Sequence, residues 1–170
     1  VKDIVYGSFV YGMKSVFVVL LIFSFVSFII TFGFGILFNI KGKKLLFAAL
    51  GGGLSWYCYF LPLSLGLSEI SSLFISALVF STYSEVLARI FKTPVTSFVI
   101  CALFPLVPGS GMYYTMLATI NGDLQNAVHL GINTLANAGT LALGVIFIST
   151  ITSLIFRVKR NHSSKRFNQQ

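Results

Sequence analysis

Pro105 and Pro108 stand three residues apart and run directly into Gly109-Ser110-Gly111. Leu103 and Phe104 precede them and Tyr113 follows, inside an otherwise apolar run over 95–118. Proline has no N–H to donate and its ring clashes with the preceding turn, so two in one run interrupt a helix. Gly109 and Gly111 are expected to supply backbone conformations closed to other residues. The interruption leaves carbonyls around 101–104 without helical partners and opens a new half-helix at the N–H groups of 110–113. A half-helix start carries the positive end of its dipole and suits a carboxylate. The carbonyls of Leu103 and Phe104 suit an ammonium group. Together they fit an α-amino acid, with Ser110 capping the second half-helix and offering a hydroxyl. Tyr113 and Tyr114 either add hydroxyls or belong to an interfacial aromatic belt; the sequence leaves both open.

Three other groupings carry polar chemistry. Glu85 lies one helical turn before Arg89, with Ser81 a turn further back. It is read either as half of an i,i+4 ion pair or as a carboxylate for a proton or a substrate ammonium group. His129, Asn133, Asn137, Thr140 and Gly144 recur every three or four residues, which is one narrow helix face. That face lines an external vestibule or forms a helix seam; the pattern alone does not choose. Ser24, Ser27, Thr31 and Gly35 form a similar small-residue face, read as a seam. Glu69 is expected to be solvated, as is Asp123, which after Asn121-Gly122 reads as a turn and helix cap.

The elements that must position these groups follow from composition. Apolar residues make up 56% of the 170, only 9% are charged, and mean hydropathy is +0.90. Soluble domains carry about 25% charged residues, so the solvent here is lipid. Five apolar stretches approach the roughly 20 residues that cross a bilayer: 16–38, 45–65, 70–91, 95–118 and 127–156. The expected fold is therefore an all-α integral membrane protein, a single transmembrane domain over 1–170. A short basic cytoplasmic tail occupies 157–170. The first stretch is too long for a signal peptide and no A-x-A-like site follows it, so it is read as a span. The run 95–104 is about 15 Å of helix, half of a hydrocarbon core roughly 30 Å thick. That places the break in the fourth helix near the midplane. At such depth, broken backbone is tolerated where it lines a cavity or is buried in protein, and it points to a transport site.

Sidedness follows from Lys and Arg. Ten lie on one face: Lys41, Lys43, Lys44, Arg89, Lys92, Arg157, Lys159, Arg160, Lys165 and Arg166. Only Lys2 and Lys14 lie opposite, which puts the N-terminus outside and the C-terminus in the cytoplasm. Anionic headgroups account for the basic tail. No aromatic-interleaved folded surface accompanies it, so nucleic acid is not expected as a partner. Cys58 and Cys101 fall within spans, without CxxC spacing, and read as small buried residues. An enzyme is disfavoured. Pro108 stands where GxSxG requires glycine, there is no HExxH, and no cofactor or metal is expected.

"FPLVPGSGMYYTM", with "FGILFNI" at 34–40 and "SEVLAR" at 84–89, resembles the threonine/serine exporter family, in particular its small membrane half-subunit. The resemblance implies export of threonine and serine, or of succinate in a two-component branch, across the cytoplasmic membrane of a bacterium. It also implies a larger membrane half-subunit as partner. A five-helix unit ends on the side opposite its start, so two such halves in series would form an inverted repeat with the substrate site between them. The expected candidate site is Leu103, Phe104, Pro105, Pro108, Gly109, Ser110, Gly111 and Tyr113, with Glu85, Asn133 and Asn137. No Lys or Arg lies deep in a span, which leans the substrate toward a zwitterionic amino acid and away from a dicarboxylate. A non-transporting structural subunit or small channel is the alternative.

Overall fold

The computed structural model describes the backbone of residues 2–167 and the side chains of residues 17–155. The side chains of Lys2, Lys14 and the basic cluster 157–166 lie outside the described residues. Six helices follow one another: α1 Lys2–Leu37, α2 Lys43–Ser64, α3 Glu69–Ile90, α4 Val95–Leu103, α5 Gly109–Ile120 and α6 Leu124–Phe167. A 3-10 turn, Phe104–Leu106, follows α4. There is no strand among the described residues.

Four segments are long and apolar enough to cross a membrane: Phe17–Leu37, Lys43–Ser64, Glu69–Ile90 and Leu124–Ile155. The pair Val95–Leu106 and Gly109–Ile120, bent by 53° at the proline break, meets the same criterion when its two parts are taken together. The helical backbone of α6 continues through the basic tail to Phe167.

Local chemistry sets the ends. Asn39 and Lys92 adopt left-handed backbone after α1 and α3, at φ 57° and 50°. Gly66 and Gly122 do so after α2 and α5, at φ 91° and 77°. Each closes a reversal in which a later N–H reaches back to the helix, as Asp123 N does to the Ala118 carbonyl at 3.0 Å. Asp123 then caps α6 by accepting from Asn126 N at 3.2 Å, as its position after Asn121-Gly122 predicts. Ser68 caps α3 by accepting from Ser71 N.

Small residues bring the helices together, the usual device where lipid removes the hydrophobic drive for association. Gly52 of α2 lies so close to Thr31 of α1 that a Cβ there would collide with it. The Ser24–Gly35 face is thus a seam with α2: Ser27 and Thr31 are buried in it and Gly35 abuts Leu45. Gly144 of α6 meets Ala77 of α3 in the same way. Buried hydroxyls tie the centre: Ser55 Oγ donates to the Ala102 carbonyl at 2.9 Å, and Ser76 Oγ donates to the Ser55 carbonyl at 2.5 Å. Around them Phe80, Leu73, Leu106 and Leu141 form the main apolar core.

Ser55 lies near the middle of α2, and its bond to Ala102 brings the end of α4 beside it. In the 3-10 turn that follows, Leu106 joins Leu73, Ala77 and Phe80 of α3 in the main core, and the break lies beside Trp56, Tyr59, Glu69 and Leu73.

Candidate functional site

The break opens into a cavity of about 380 Å³. Pro105, Pro108, Ser110 and Gly111 line it from the broken span, and Asn133, Thr134 and Asn137 line it from α6. Trp56 and Tyr59 of α2 and Glu69 of α3 complete the polar part of the wall. Sites for small molecules typically span about 300–1,000 Å³, so this one is at the small end.

At the break, Pro108 occupies the N-cap position of α5 with no side-chain cap hydrogen bond. Gly109 N is taken by the Val107 carbonyl at 2.7 Å and Met112 N by the Pro108 carbonyl at 3.2 Å. Between them, the N–H groups of Ser110 and Gly111 belong to an uncapped first turn beside the cavity. The first N–H groups of a helix have no partner within it and carry the positive end of its dipole.

Two expectations about this turn are corrected. Ser110 does not cap α5; it lies inside the first turn, and Pro108, which has no capping side chain, holds that position. Gly109 and Gly111 are not needed for left-handed backbone, since neither is among the glycines with positive φ. Gly111 is needed for space: a Cβ there would strike Thr134 on α6. At Gly109 a Cβ would meet nothing within 4 Å.

The remaining expected residues divide. Asn133 and Asn137 join the break in one cavity, whereas Leu103, Phe104, Gly109 and Tyr113 are not among its walls. Leu103 packs against the main core. The Phe104 ring stacks on Phe34 at 3.7 Å between centroids, and its carbonyl accepts from Val107 N at 3.4 Å. Tyr113 is 63% exposed and meets Tyr114 edge-on.

Glu85 lies elsewhere, in a separate cavity of about 150 Å³ with Ser81, Thr96 and Ser149. Its Oε2 accepts from Arg89 Nη2 at 3.0 Å, the i,i+4 pair. The α6 stripe uses both of its readings on different stretches. Asn133 and Asn137 line the cavity, while Gly144 is a seam against α3. Among the described residues no cluster of three or more His, Cys, Asp and Glu is placed to hold a metal.

Sequence reasoning missed Glu69. It is exposed, as expected, but it also borders the cavity, and its Oε1 accepts from Asn137 Nδ2 at 2.9 Å, a contact between residues 68 apart. No local pattern announces such a pair; the signal was only that Asn137 sits on a polar helix face. Trp56 was missed too, and its indole N–H is buried with no hydrogen-bond partner.

Comparison with known proteins bears on these features directly. No curated protein and no solved structure matches the chain. The model of the family described as threonine/serine exporter, ThrE, matches residues 23–151, most of the chain and all of the cavity wall. With four helices long and apolar enough to cross a membrane and an apolar pair bent at its prolines, the chain is a multi-pass membrane protein of the threonine/serine exporter family, a family of membrane transporters.

Proposed function

We propose that this chain is one membrane half of an exporter that carries threonine, serine or a closely similar small amino acid out of a bacterial cell. The substrate occupies the cavity at residues 105–111, and a larger membrane half-subunit closes its open side. The observation that carries this reading is the uncapped first turn of α5, set in a cavity by two prolines within an apolar span. Broken backbone inside a membrane-spanning stretch is costly unless it lines a cavity or is buried in protein. Here the N–H groups of Ser110 and Gly111 suit a substrate carboxylate, and Asn133, Thr134 and Asn137 offer polar groups to a side-chain hydroxyl.

Family membership supports the substrate class. The need for a partner draws support from exposure: Gly109, Ser110 and Asn133 are exposed on the chain alone, between apolar helices. Lipid would leave such groups unsatisfied, whereas a second half would enclose them. The ten-to-two distribution of Lys and Arg supports an external N-terminus and a cytoplasmic C-terminus.

The test is export from cells lacking both halves, loaded with a threonine-containing dipeptide. This chain and the larger half together are expected to restore threonine efflux, and either alone is not. Efflux with this chain alone at the rate of the pair would refute the two-half reading. A cytoplasm-dependent reporter fused after Gln170 is expected to be active; a silent one would reverse the orientation.

A further inference from the structure

Among the described residues, one charged side chain, Glu69, faces the cavity at the break, and no Lys, Arg or His lines it. Its Oε1 is held by the amide of Asn137, which is itself only 9% exposed on α6. A glutamate in the first turn supports its own helix dipole wherever it points. That role requires no partner on another helix. This carboxylate is instead held against the cavity wall by a buried amide that brings no charge of its own. Its second oxygen, Oε2, makes no hydrogen bond among the described residues.

We infer that Glu69 receives the ammonium group of a zwitterionic substrate, and so selects α-amino acids over dicarboxylates. The inference rests on the proposed reading of this cavity as the transport site. The cavity has two poles: the positive first turn of α5 at Ser110 and Gly111, and the carboxylate of Glu69. An α-amino acid offers the opposite charges to both. A dicarboxylate sets its second negative charge against Glu69 with no cation in the wall to offset it. A deaminated analogue leaves the Glu69 carboxylate unpaired. The selectivity that backbone carbonyls at residues 103–104 were expected to supply thus passes to a side chain on α3.

Everted vesicles carrying this chain with its partner half provide the test, with threonine, its deaminated analogue 3-hydroxybutyrate, and succinate as probes. Glu69→Gln keeps an oxygen for Asn137 and removes only the charge. Threonine transport is expected to fall roughly ten- to hundredfold, the loss of a hydrogen bond to a charged group, while 3-hydroxybutyrate transport changes less than about twofold. A purely structural role would lower both alike, and an equal fall overturns the inference. So does an unchanged ratio of threonine to 3-hydroxybutyrate. Glu69→Ala, which demands nothing of the Asn137 geometry, is the second neutral variant. Unmodified vesicles give a reading independent of any variant. Serine is expected to compete with threonine at a concentration roughly ten- to hundredfold below that of 3-hydroxybutyrate or succinate; equal competition overturns the inference. Threonine transport that persists after the chain is deleted removes the proposed function and this inference together. Transport that needs the chain but ignores Glu69 removes the inference alone.

Discussion

Glu69 and Glu85 stand on one helix, about 24 Å apart along its axis, and each borders a cavity that α6 also lines. Glu85 is the more buried, at 6% exposed, yet its charge is answered on its own helix by Arg89. Glu69 is exposed on the chain alone, and its partner Asn137 brings a donor but no charge. The Glu85 cavity is about 150 Å³ and walled largely by Val95, Val99, Ile100 and Val145. The Glu69 cavity is about 380 Å³ and adjoins an uncapped helix start. Burial therefore does not make a carboxylate available to a ligand. What matters is whether its charge is already compensated, and the more accessible of these two is the one left uncompensated.

The strongest test of that contrast removes the positive pole beside Glu69. Changing Pro105, Pro108 and Gly109 together to Ala restores helix-forming residues through the break. Export is expected to be lost with membrane insertion intact, read as efflux at matched membrane levels. Native efflux from that variant would reduce the break to a kink. Gly111 is left in place because Ala there collides with Thr134. Gly111→Ala alone is expected to cost about 1–3 kcal/mol of stability, the usual range for overpacking, as a lowered unfolding midpoint in detergent. Thr134→Ala in the same chain should recover part of it; no recovery would mean that α5 and α6 do not meet here.

Ser110→Ala is a smaller change. Its hydroxyl has no partner among the described residues, so a substrate hydrogen bond is what is at stake, about 0.5–1.5 kcal/mol. A rise in the half-saturating threonine concentration with little change in maximal rate would show it, and no rise would remove the hydroxyl from the site. Least of all should Glu85→Gln matter. The amide keeps an oxygen for Arg89 within the i,i+4 pair, and Arg89 is itself partly exposed. Efflux is expected to stay within about twofold of native. If Glu85→Gln abolishes export, the two carboxylates have been assigned the wrong way round.

The difference between these two sites also explains what the sequence could reveal. Spans announce themselves by length and apolarity, and the break by prolines, because both are local; four spans and the bent fifth lie close to where composition places them. The Glu85–Arg89 pair is equally local, fixed by helical spacing. Glycine function and the Glu69–Asn137 contact are not. Gly111 is defined by Thr134, twenty-three residues on. Glu69 looked like a solvated helix start because its partner lies on a helix three elements later, and no spacing rule brings α3 beside α6.

One consequence of the length of α6 remains. Its 44 residues form a single unbroken helix, about 66 Å long against a hydrocarbon core of roughly 30 Å. Asn137 and Ser149 are fixed points on that rod, one at each cavity. A rod without a proline has no joint, so a displacement at Asn137 is passed to Ser149 as a lever passes it. The span 95–120 has its joint at residues 105–108, and there the same displacement is absorbed. Two of the helices that wall the larger cavity thus have opposite mechanics: one transmits a movement, and the other yields to it.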